Sequence, residues 1–348
     1  MTAESREFAA RRERLAVRAR IGALAASPPE GLTAGLLEGV SNVVDVDLGN
    51  FAALQTGGTL WVSATPLVAG ESRASAVASA LAWIVRRKDS AVRCLAMFDA
   101  VQPGVTARIL AQTTLNTAVF DVCGAPSGGG RLAMPTTHQP ALAPKPAHLA
   151  LADMFREAGA DVVVEHGVVA AEVAGLEVAR VVEEDGVPSV RIGVGVHDRE
   201  TFRMLHGDTA TVEQLCEVVR IVAAHRTAGA ATHPLNLLAP ERALRQRAVR
   251  DPAVIGMRTL AVAEPPTPRA NLKDSVPCCA TGVDAHGRET VAVFVAGVDL
   301  DAVPFAADAR LRHAPNARLV IVTQSRNVVP LQREIAALLL SPAEFVSA

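Results

Sequence analysis

The sequence predicts an α/β fold in which two similar strand-helix-strand-helix-strand modules flank a middle domain of antiparallel meander plus helices. Apolar runs and Ala-rich helical segments follow one another in the same order near both ends of the chain. In both copies a proline opens a helix eleven residues after the start of a strand, which indicates a repeated unit. Between the copies, short apolar runs are separated by turn signals, as in a meander.

The elements of the two outer copies can be matched one by one. The first copy has a strand at 60–62, a helix over 72–87, a strand from 92, a helix from Pro103 and a strand around 119. The second has a strand at 291–296, a helix over 304–312, a strand from 319, a helix from Pro330 and a strand around 345. Gly57-Gly58 predicts a hairpin between strands at 43–54 and 59–64.

Five segments follow from these patterns. They are an Arg-rich N-terminal helix (1–30), an N-terminal α/β module (31–123), a Gly/Pro linker (124–147), a middle domain (148–260) and a C-terminal α/β module (273–348). The thin, mostly Ala apolar face of the first helix favours a solvated or packed helix over one lying on a membrane.

The sequence of the middle domain predicts a helix, a meander and three further helices. Strands are predicted at 161–165, 168–182 and 190–196, with Asp185-Gly186 as a two-residue turn between the last two. Helices are predicted at 149–158, 199–206, 211–227 and 240–250.

Composition excludes several classes of protein. The chain has no Tyr and only two Trp, which removes the aromatic platforms used to bind single-stranded nucleic acids and sugars. It has no run of eighteen apolar residues and no signal-peptide core, so we expect a soluble cytoplasmic protein with no membrane partner. The five scattered cysteines are expected to be reduced, with the adjacent Cys278 and Cys279 buried as small apolar residues.

Charge is unevenly distributed along the chain. Residues 148–224 carry 14 acids against 6 basic residues, whereas 226–258 carry 6 arginines against two acids. The preferred interpretation is that the acidic and basic segments pack together.

The sharpest candidate site is acidic and lies on the meander. If Ala174-Gly175 is a tight turn, Glu172 lies opposite Glu177, and the two carboxylates repel unless a metal or a shared proton intervenes. With Glu165 as a further catalytic candidate and Asp161 as a further metal ligand, this arrangement predicts a hydrolase or nuclease that uses Mg²⁺ or Mn²⁺. If 168–182 is one continuous strand, Glu172 and Glu177 lie on opposite faces. The preferred interpretation is that the acids form a solvated face of the sheet.

A helix followed by antiparallel strands that carry carboxylates resembles the core of the restriction-endonuclease-like nucleases. That resemblance implies an acid followed two residues later by a lysine, but Glu177-Val178-Ala179 has no lysine, and simple alternation places Arg180 on the other face of its strand. It therefore implies equally a degenerate member that retains the fold as a binding module. Phrases such as Gly175-Leu-Glu-Val-Ala-Arg180 also resemble those of uncharacterised actinobacterial proteins, which implies no activity.

A basic series forms a second type of candidate site. Arginine presents a rigid fork of donors that suits phosphate or carboxylate, so Arg242, Arg245 and Lys273 predict a small-molecule anion site. Pairing of an exposed helix with the acidic meander explains the two arginines equally well.

Two weaker candidates complete the set. Asp299 and Asp301 follow a strand, and Asp308 lies on the next helix. These acids either line a crevice at the end of the sheet or cap the helix, and capping is the preferred interpretation. His197 and His206 lack the spacing of a zinc motif and are expected to be exposed or structural.

Three functional hypotheses remain, and the sequence leaves open whether the protein is an enzyme. The preferred one is a non-catalytic binding or assembly protein on a degenerate nuclease-like fold, with a protein partner or a second copy of itself and only weak support for nucleic acid. The alternatives are the metal-dependent hydrolase and the anion binder.

Overall fold

The computed structural model describes residues 3–33, 35–69, 74–87, 92–124, 128–207, 209–227, 233–269 and 276–348. Within these residues the chain forms three β-sheets, of six, four and five strands, and the helices that accompany them. The predicted α/β class is confirmed.

The N-terminal sheet has six strands that pair in chain order. The first three are antiparallel, whereas the third, fourth and fifth are parallel and are joined by two helices. The elements are β1 (Val43–Leu48), β2 (Phe51–Thr56), β3 (Thr59–Pro66), α2 (Ala76–Arg86), β4 (Cys94–Asp99), α3 (Pro103–Leu110), β5 (Asn116–Asp121) and β6 (Arg131–Leu132).

Helix α1 (Ala3–Ala26) packs on this sheet through a few apolar residues. Val17, Ile21 and Leu24 are buried in one cluster with Trp61 and Phe98. The rings of Trp61 and Phe98 stack with their centroids 5.9 Å apart. The prediction of a packed rather than a membrane-bound helix agrees with this contact.

The middle sheet is a four-stranded antiparallel meander made of β7 (Asp161–Glu165), β8 (Val168–Val173), β9 (Leu176–Glu184) and β10 (Val187–Ile192). Each of its three turns contains two residues, and the second is always a glycine. Both residues of every turn have positive φ angles, as the tight turns of twisted hairpins require. The turns are His166-Gly167, Ala174-Gly175 and Asp185-Gly186.

Helices cover one face of the meander. Phe155 and Leu215 are wholly buried there against the apolar side chains of β8 and β9. The helices around this sheet are α4 (Pro146–Ala150), α5 (Ala152–Glu157), α6 (Val196–His206) and α7 (Val212–His225).

The C-terminal sheet has five strands, again in chain order. Helix α8 (Pro240–Arg250) packs on it, with Leu244 and Ala248 buried against Cys278, Phe294 and Val322. The remaining elements are β11 (Met257–Ala263), β12 (Cys278–Asp284), β13 (Glu289–Phe294), α9 (Ala302–His313), β14 (Arg318–Thr323), α10 (Pro330–Ala337) and β15 (Glu344–Ser347).

The repeat is longer than the sequence indicates. Each copy begins with a helix that packs on the sheet, continues through three antiparallel strands, and ends with two helix-strand pairs. The third and fourth strands of each copy are parallel. The pattern in the sequence begins only at the third strand of each copy. It therefore does not assign to the repeat the helices at 1–30 and 240–250 or the hairpin at 43–64, although each of them is predicted.

Two compact units divide the chain. Unit 1 contains 1–138, 299–308 and 328–344, and unit 2 contains 139–298, 309–327 and 345–348. The five segments expected from the sequence stay a prediction about domains.

Within unit 1, equivalent residues of the two copies meet at two places, and both pairs are 226 residues apart. The backbone N–H of Ser75, the N-cap residue of α2, donates to Asp301 Oδ2 at 2.8 Å, and Ser75 Oγ also contacts that carboxylate. Thr113 forms an isolated antiparallel bridge with Leu339. The constant separation supports a repeated origin for the two copies.

Two predicted strands are wrong in their extent. The segment 168–182 is two strands, β8 and β9, which are separated by the turn at Ala174-Gly175. The segment 43–54 is likewise a hairpin, β1 and β2, with a turn at Gly49-Asn50. At Ala174-Gly175 the turn has little polar character and interrupts an apolar segment, whereas Gly49-Asn50 consists of residues that favour turns.

Among the described residues, no helix combines the length and the apolar character needed to cross a membrane.

Gly175→Ala is expected to destabilise the protein more than Gly186→Ala does. Both glycines have φ near +80°, so each substitution costs about 1–2 kcal/mol for the left-handed backbone. A Cβ at Gly175 would also overlap the backbone of Arg242, whereas at Gly186 it meets nothing within 4 Å. Urea unfolding of the two variants measures the difference, and equal losses would show that α8 does not press on this turn.

Candidate functional site

Four carboxylates share the face of the meander that lies opposite α5 and α7. Asp161 pairs with Glu172 across β7 and β8, and Glu172 pairs with Glu177 across β8 and β9. Glu165 lies on the same side of β7 as Asp161, because side chains alternate along a strand. The structure therefore brings all four acidic candidates to one face and excludes the alternative of a continuous strand. The prediction that this face is solvated is wrong, because Glu165, Glu172 and Glu177 are buried.

The turn at Ala174-Gly175 owes its position to side chains from elsewhere in the chain. The guanidinium of Arg226 donates twice to the carbonyl oxygen of Ala174, from Nε at 3.0 Å and from Nη2 at 2.8 Å. Gly175 allows the backbone of α8 to approach closely at Arg242. These contacts stabilise a turn for which Ala-Gly has only a modest intrinsic preference.

Helix α8 carries the arginines that neutralise the acidic face. Arg242 binds Glu165 through Nη2 and Glu172 through Nη1. Arg245 Nη1 donates to Glu165 Oε1 at 2.5 Å, and its Nη2 lies 3.5 Å from Glu172 Oε2. We call these four side chains the buried ion network.

A second, more exposed contact extends the same pairing. Asp161 Oδ2 accepts hydrogen bonds from Gln246 Nε2 at 2.6 Å and from Arg250 Nη2 at 2.9 Å. The interpretation that the acidic and basic segments pack together is confirmed.

The buried ion network is shielded from solvent. The side chains of Glu172 and Arg245 are 0% and 1% exposed. Burial and the neighbouring Glu165 raise the pKa of Glu172 despite Arg242 and Arg245. Burial also opposes ionisation of Glu165, but the charges of Arg245 and Arg242 outweigh it and lower the pKa of Glu165.

The two adjacent cysteines lie beneath the network and are free and buried, as expected. Burial raises the pKa of Cys278 to about 12, although Arg245 and Arg242 act in the opposite direction. Burial likewise raises the pKa of Cys279. Both thiols therefore remain protonated at neutral pH and have little nucleophilic character.

Beside the network, unit 2 has a cleft of about 250 Å³. Four arginines line it, together with two carboxylates and His166. The arginines are Arg180, Arg199, Arg242 and Arg269, and the carboxylates are Glu165 and Glu177. The apolar part of the lining contains Val163, Val168 and Ala170. We call this feature the arginine cleft.

Glu177 orients two of the cleft arginines. It accepts two hydrogen bonds from Arg180, from Nε at 2.6 Å and from Nη2 at 2.7 Å, and a third from Arg199 Nη1 at 3.0 Å. Hydrogen bonding to Glu177 raises the pKa of Arg180, whereas burial lowers the pKa of Arg199.

Arg180 corrects one prediction from the sequence. Simple alternation along β9 places Glu177 and Arg180 on opposite faces, but the two side chains bind each other. The pairing register of β8 and β9 shifts between Ala171 and Glu172, which leaves Val178 as an extra residue in β9. Such a bulge reverses the alternation, and the consecutive residues Val178 and Ala179 are accordingly both buried.

The predicted anion site is only partly retained. Arg242 lines the cleft, Arg245 lies in the buried network, and Lys273 falls outside the described residues. The sequence analysis missed Arg199 and His166 as cleft residues. Arg199 comes from the first turn of α6, and no sequence signal connects it to β9.

The predicted metal ligands have arginine partners. Asp161 binds Arg250, Glu172 binds Arg242, and Glu177 binds Arg180 and Arg199. In the part of the chain that the structure describes, no group of three or more His, Cys, Asp or Glu side chains is arranged to hold a metal ion. Binding of Mg²⁺ or Mn²⁺ here requires the carboxylates to release arginines.

The candidates at the C-terminal strand-helix junction are structural contacts within unit 1. Asp301 binds the N-cap residue of α2, as described above, and burial raises its pKa. Asp308 is buried and accepts hydrogen bonds from Arg108 Nε at 2.8 Å and Nη2 at 2.9 Å, with His138 Nε2 3.0 Å away. Of the weaker histidine candidates, His197 is fully exposed, and the ring of His206 lies against that of Phe202 with the centroids 4.4 Å apart.

Arg245→Met is expected to lower the free energy of unfolding by about 3–5 kcal/mol, because it leaves two buried carboxylates with a single arginine. Arg250→Met is the matched control on the same helix. Arg250 is 62% exposed, so its ion pair with Asp161 contributes at most about 1 kcal/mol. Urea unfolding compares the two, and similar losses would contradict the structural role of the network.

Mg²⁺ and Mn²⁺ are expected to leave the melting temperature unchanged, because the acidic face is already neutralised by arginines. A thermal-shift titration on the wild type and on Glu177→Gln measures this. Stabilisation of the wild type that Glu177→Gln abolishes would establish a metal site and contradict the expectation.

Comparisons of this chain with protein-family models, with curated proteins and with solved structures found no match.

Proposed function

We propose that the protein is a non-catalytic binding protein whose ligand is a small anion held in the arginine cleft. The observation that carries this proposal is the excess of arginine over carboxylate among the cleft residues. Four guanidinium groups face two carboxylates there, so the lining has a formal charge of +2. An anionic ligand would balance that charge.

The carboxylates of the cleft act as supports for the arginines. Glu177 fixes the plane of Arg180 with a two-bond fork, and Glu165 fixes Arg242 from the buried side. A guanidinium group has five N–H donors, so an arginine held in this way keeps donors for a ligand. The side chains are held in place before binding, which lowers the entropic cost of association.

Repulsion among the arginines also favours an anion. The charge of Arg242 opposes that of Arg180, and the charge of Arg180 opposes that of Arg199. Glu177 and the buried ion network hold these groups together. A bound anion would relieve the repulsion, and salt would weaken its binding.

The described lining of the cleft contains His166, which could act as a general acid or base, but no nucleophile beside it. The described residues that line the cleft include no Ser, Thr, Cys or Lys, and both carboxylates are bonded to arginine. Neither a nucleophile with an adjacent base nor a free pair of carboxylates is present among these residues. This favours binding over hydrolysis.

The degenerate nuclease-like fold and the cytoplasmic location are part of the same proposal. The four-stranded meander with carboxylates on neighbouring strands supports the first. Five free cysteines support the second, since reduced thiols are typical of the cytosol. A second copy or a protein partner is compatible with a binding role.

Phosphate, sulfate or citrate is expected to raise the melting temperature by about 2 °C or more at low ionic strength, compared with sodium chloride of equal ionic strength. Arg180→Gln/Arg199→Gln is expected to abolish the rise. Arg220→Gln, which alters an arginine of α7 that pairs with Glu217, is expected to retain it. If none of the anions stabilises the wild type, or if the double variant responds as the wild type does, the proposal is wrong.

A further inference from the structure

We infer that the ligand group held by the arginine cleft is the dianionic phosphate of a small phosphomonoester. This inference rests on the proposed function and specifies its ligand. It follows from the charge of the cleft, the two arginines that Glu177 holds side by side, the helix that begins at the cleft, and the apolar part of the lining.

The lining of the cleft has an excess of positive charge, which the Asp198 carboxylate in the first turn of α6 offsets in part at Arg199. The lining carries two more arginines than carboxylates, and the adjacent buried pair Glu172 and Arg245 is neutral as a whole. A monocarboxylate neutralises only half of the excess. A phosphomonoester carries about 1.5 to 2 negative charges at neutral pH.

Glu177 holds two arginines side by side, and a ligand would meet the donors that Glu177 does not use, which favours a single compact group over two separated carboxylates. Arg180 Nε and Arg199 Nη1 lie 2.6 and 3.0 Å from the same atom, Glu177 Oε1. Their guanidinium groups are therefore neighbours, and Arg242 is near enough to oppose the charge of Arg180. Three guanidinium groups around one place suit the several acceptor oxygens of a phosphate.

The N-terminus of α6 lies at the same place. Gly195, its N-cap residue, and Val196, its first residue, both line the cleft, and the helix is eleven residues long. The first N–H groups of a helix have no partner within the helix, and the helix dipole favours negative charge there. Arg199 belongs to the same helix, so the helix supplies both a side-chain and a backbone contribution to anion binding.

The rest of the lining indicates the size and character of the ester. Val163, Val168 and Ala170 provide a small apolar surface beside the arginines. The described lining includes no Phe or Trp on which a nucleobase would stack. We therefore favour a phosphorylated small molecule, such as a triose or polyol phosphate, over a nucleotide.

The test measures the affinities of four probes by isothermal titration calorimetry: glycerol 3-phosphate, inorganic phosphate, sulfate and succinate. Glycerol 3-phosphate is expected to bind about tenfold or more tightly than succinate, which carries the same charge on two separated groups. Arg199→Gln is expected to weaken glycerol 3-phosphate binding about tenfold or more, with Arg220→Gln as the unchanged control. Arg199→Gln leaves Glu177 paired with Arg180, so the variant should fold.

A pH series separates a phosphate site from a general dianion site. The second ionisation of a phosphomonoester has a pKa of about 6, so affinity for glycerol 3-phosphate should fall about tenfold between pH 7.5 and pH 5. Sulfate keeps its charge over this pH range. Any change in its affinity would therefore come from the protein, where His166, Glu165 and Glu177 are the titratable groups of the cleft lining.

The outcomes distinguish the inference from the function on which it rests. If none of the four probes binds, the proposed anion-binding function is wrong. If succinate binds as tightly as glycerol 3-phosphate, or if sulfate and glycerol 3-phosphate lose affinity equally at low pH, the function stands and the phosphomonoester inference is overturned.

Discussion

The buried ion network between the meander and α8 is the interaction on which the rest of unit 2 depends. Glu165 and Glu172 would be costly to bury alone, and Arg242 and Arg245 make that burial possible because each guanidinium group reaches two carboxylate oxygens. Apolar contacts hold the same helix on the five-stranded sheet. The network therefore fixes α8 between two sheets, and apolar packing alone would not specify its register against the acidic face.

The arginine cleft is a consequence of this arrangement. Arg242 belongs to both features, since its bonds to Glu165 and Glu172 hold it where it lines the cleft. Glu177 acts similarly on Arg180 and Arg199. Carboxylates that a sequence pattern presents as metal ligands thus hold arginines in place, which changes the type of ligand we expect from a cation to an anion.

Local backbone geometry allows these side chains to meet. The turn at Ala174-Gly175 aligns Glu172 with Glu177, and the bulge at Val178 brings Arg180 to the same face as Glu177. Either feature displaced by one residue would point these side chains toward the apolar core beneath α5 and α7. The glycine and the bulge are therefore as important to the site as the charged residues.

The sequence by itself determined the α/β class, the repeated strand-helix units, the extent of α8 and the pairing of an acidic segment with a basic one. These features follow from periodicity, proline positions and summed charge, which are local or additive properties of the chain. Only the tertiary structure decided the register between β8 and β9, the depth of Arg245 and the meeting of Arg199 with Glu177. Those features depend on contacts between distant residues. Arg226 stabilises the turn, Gly175 allows α8 to approach the meander, and the bulge at Val178 has no turn residue that would predict it.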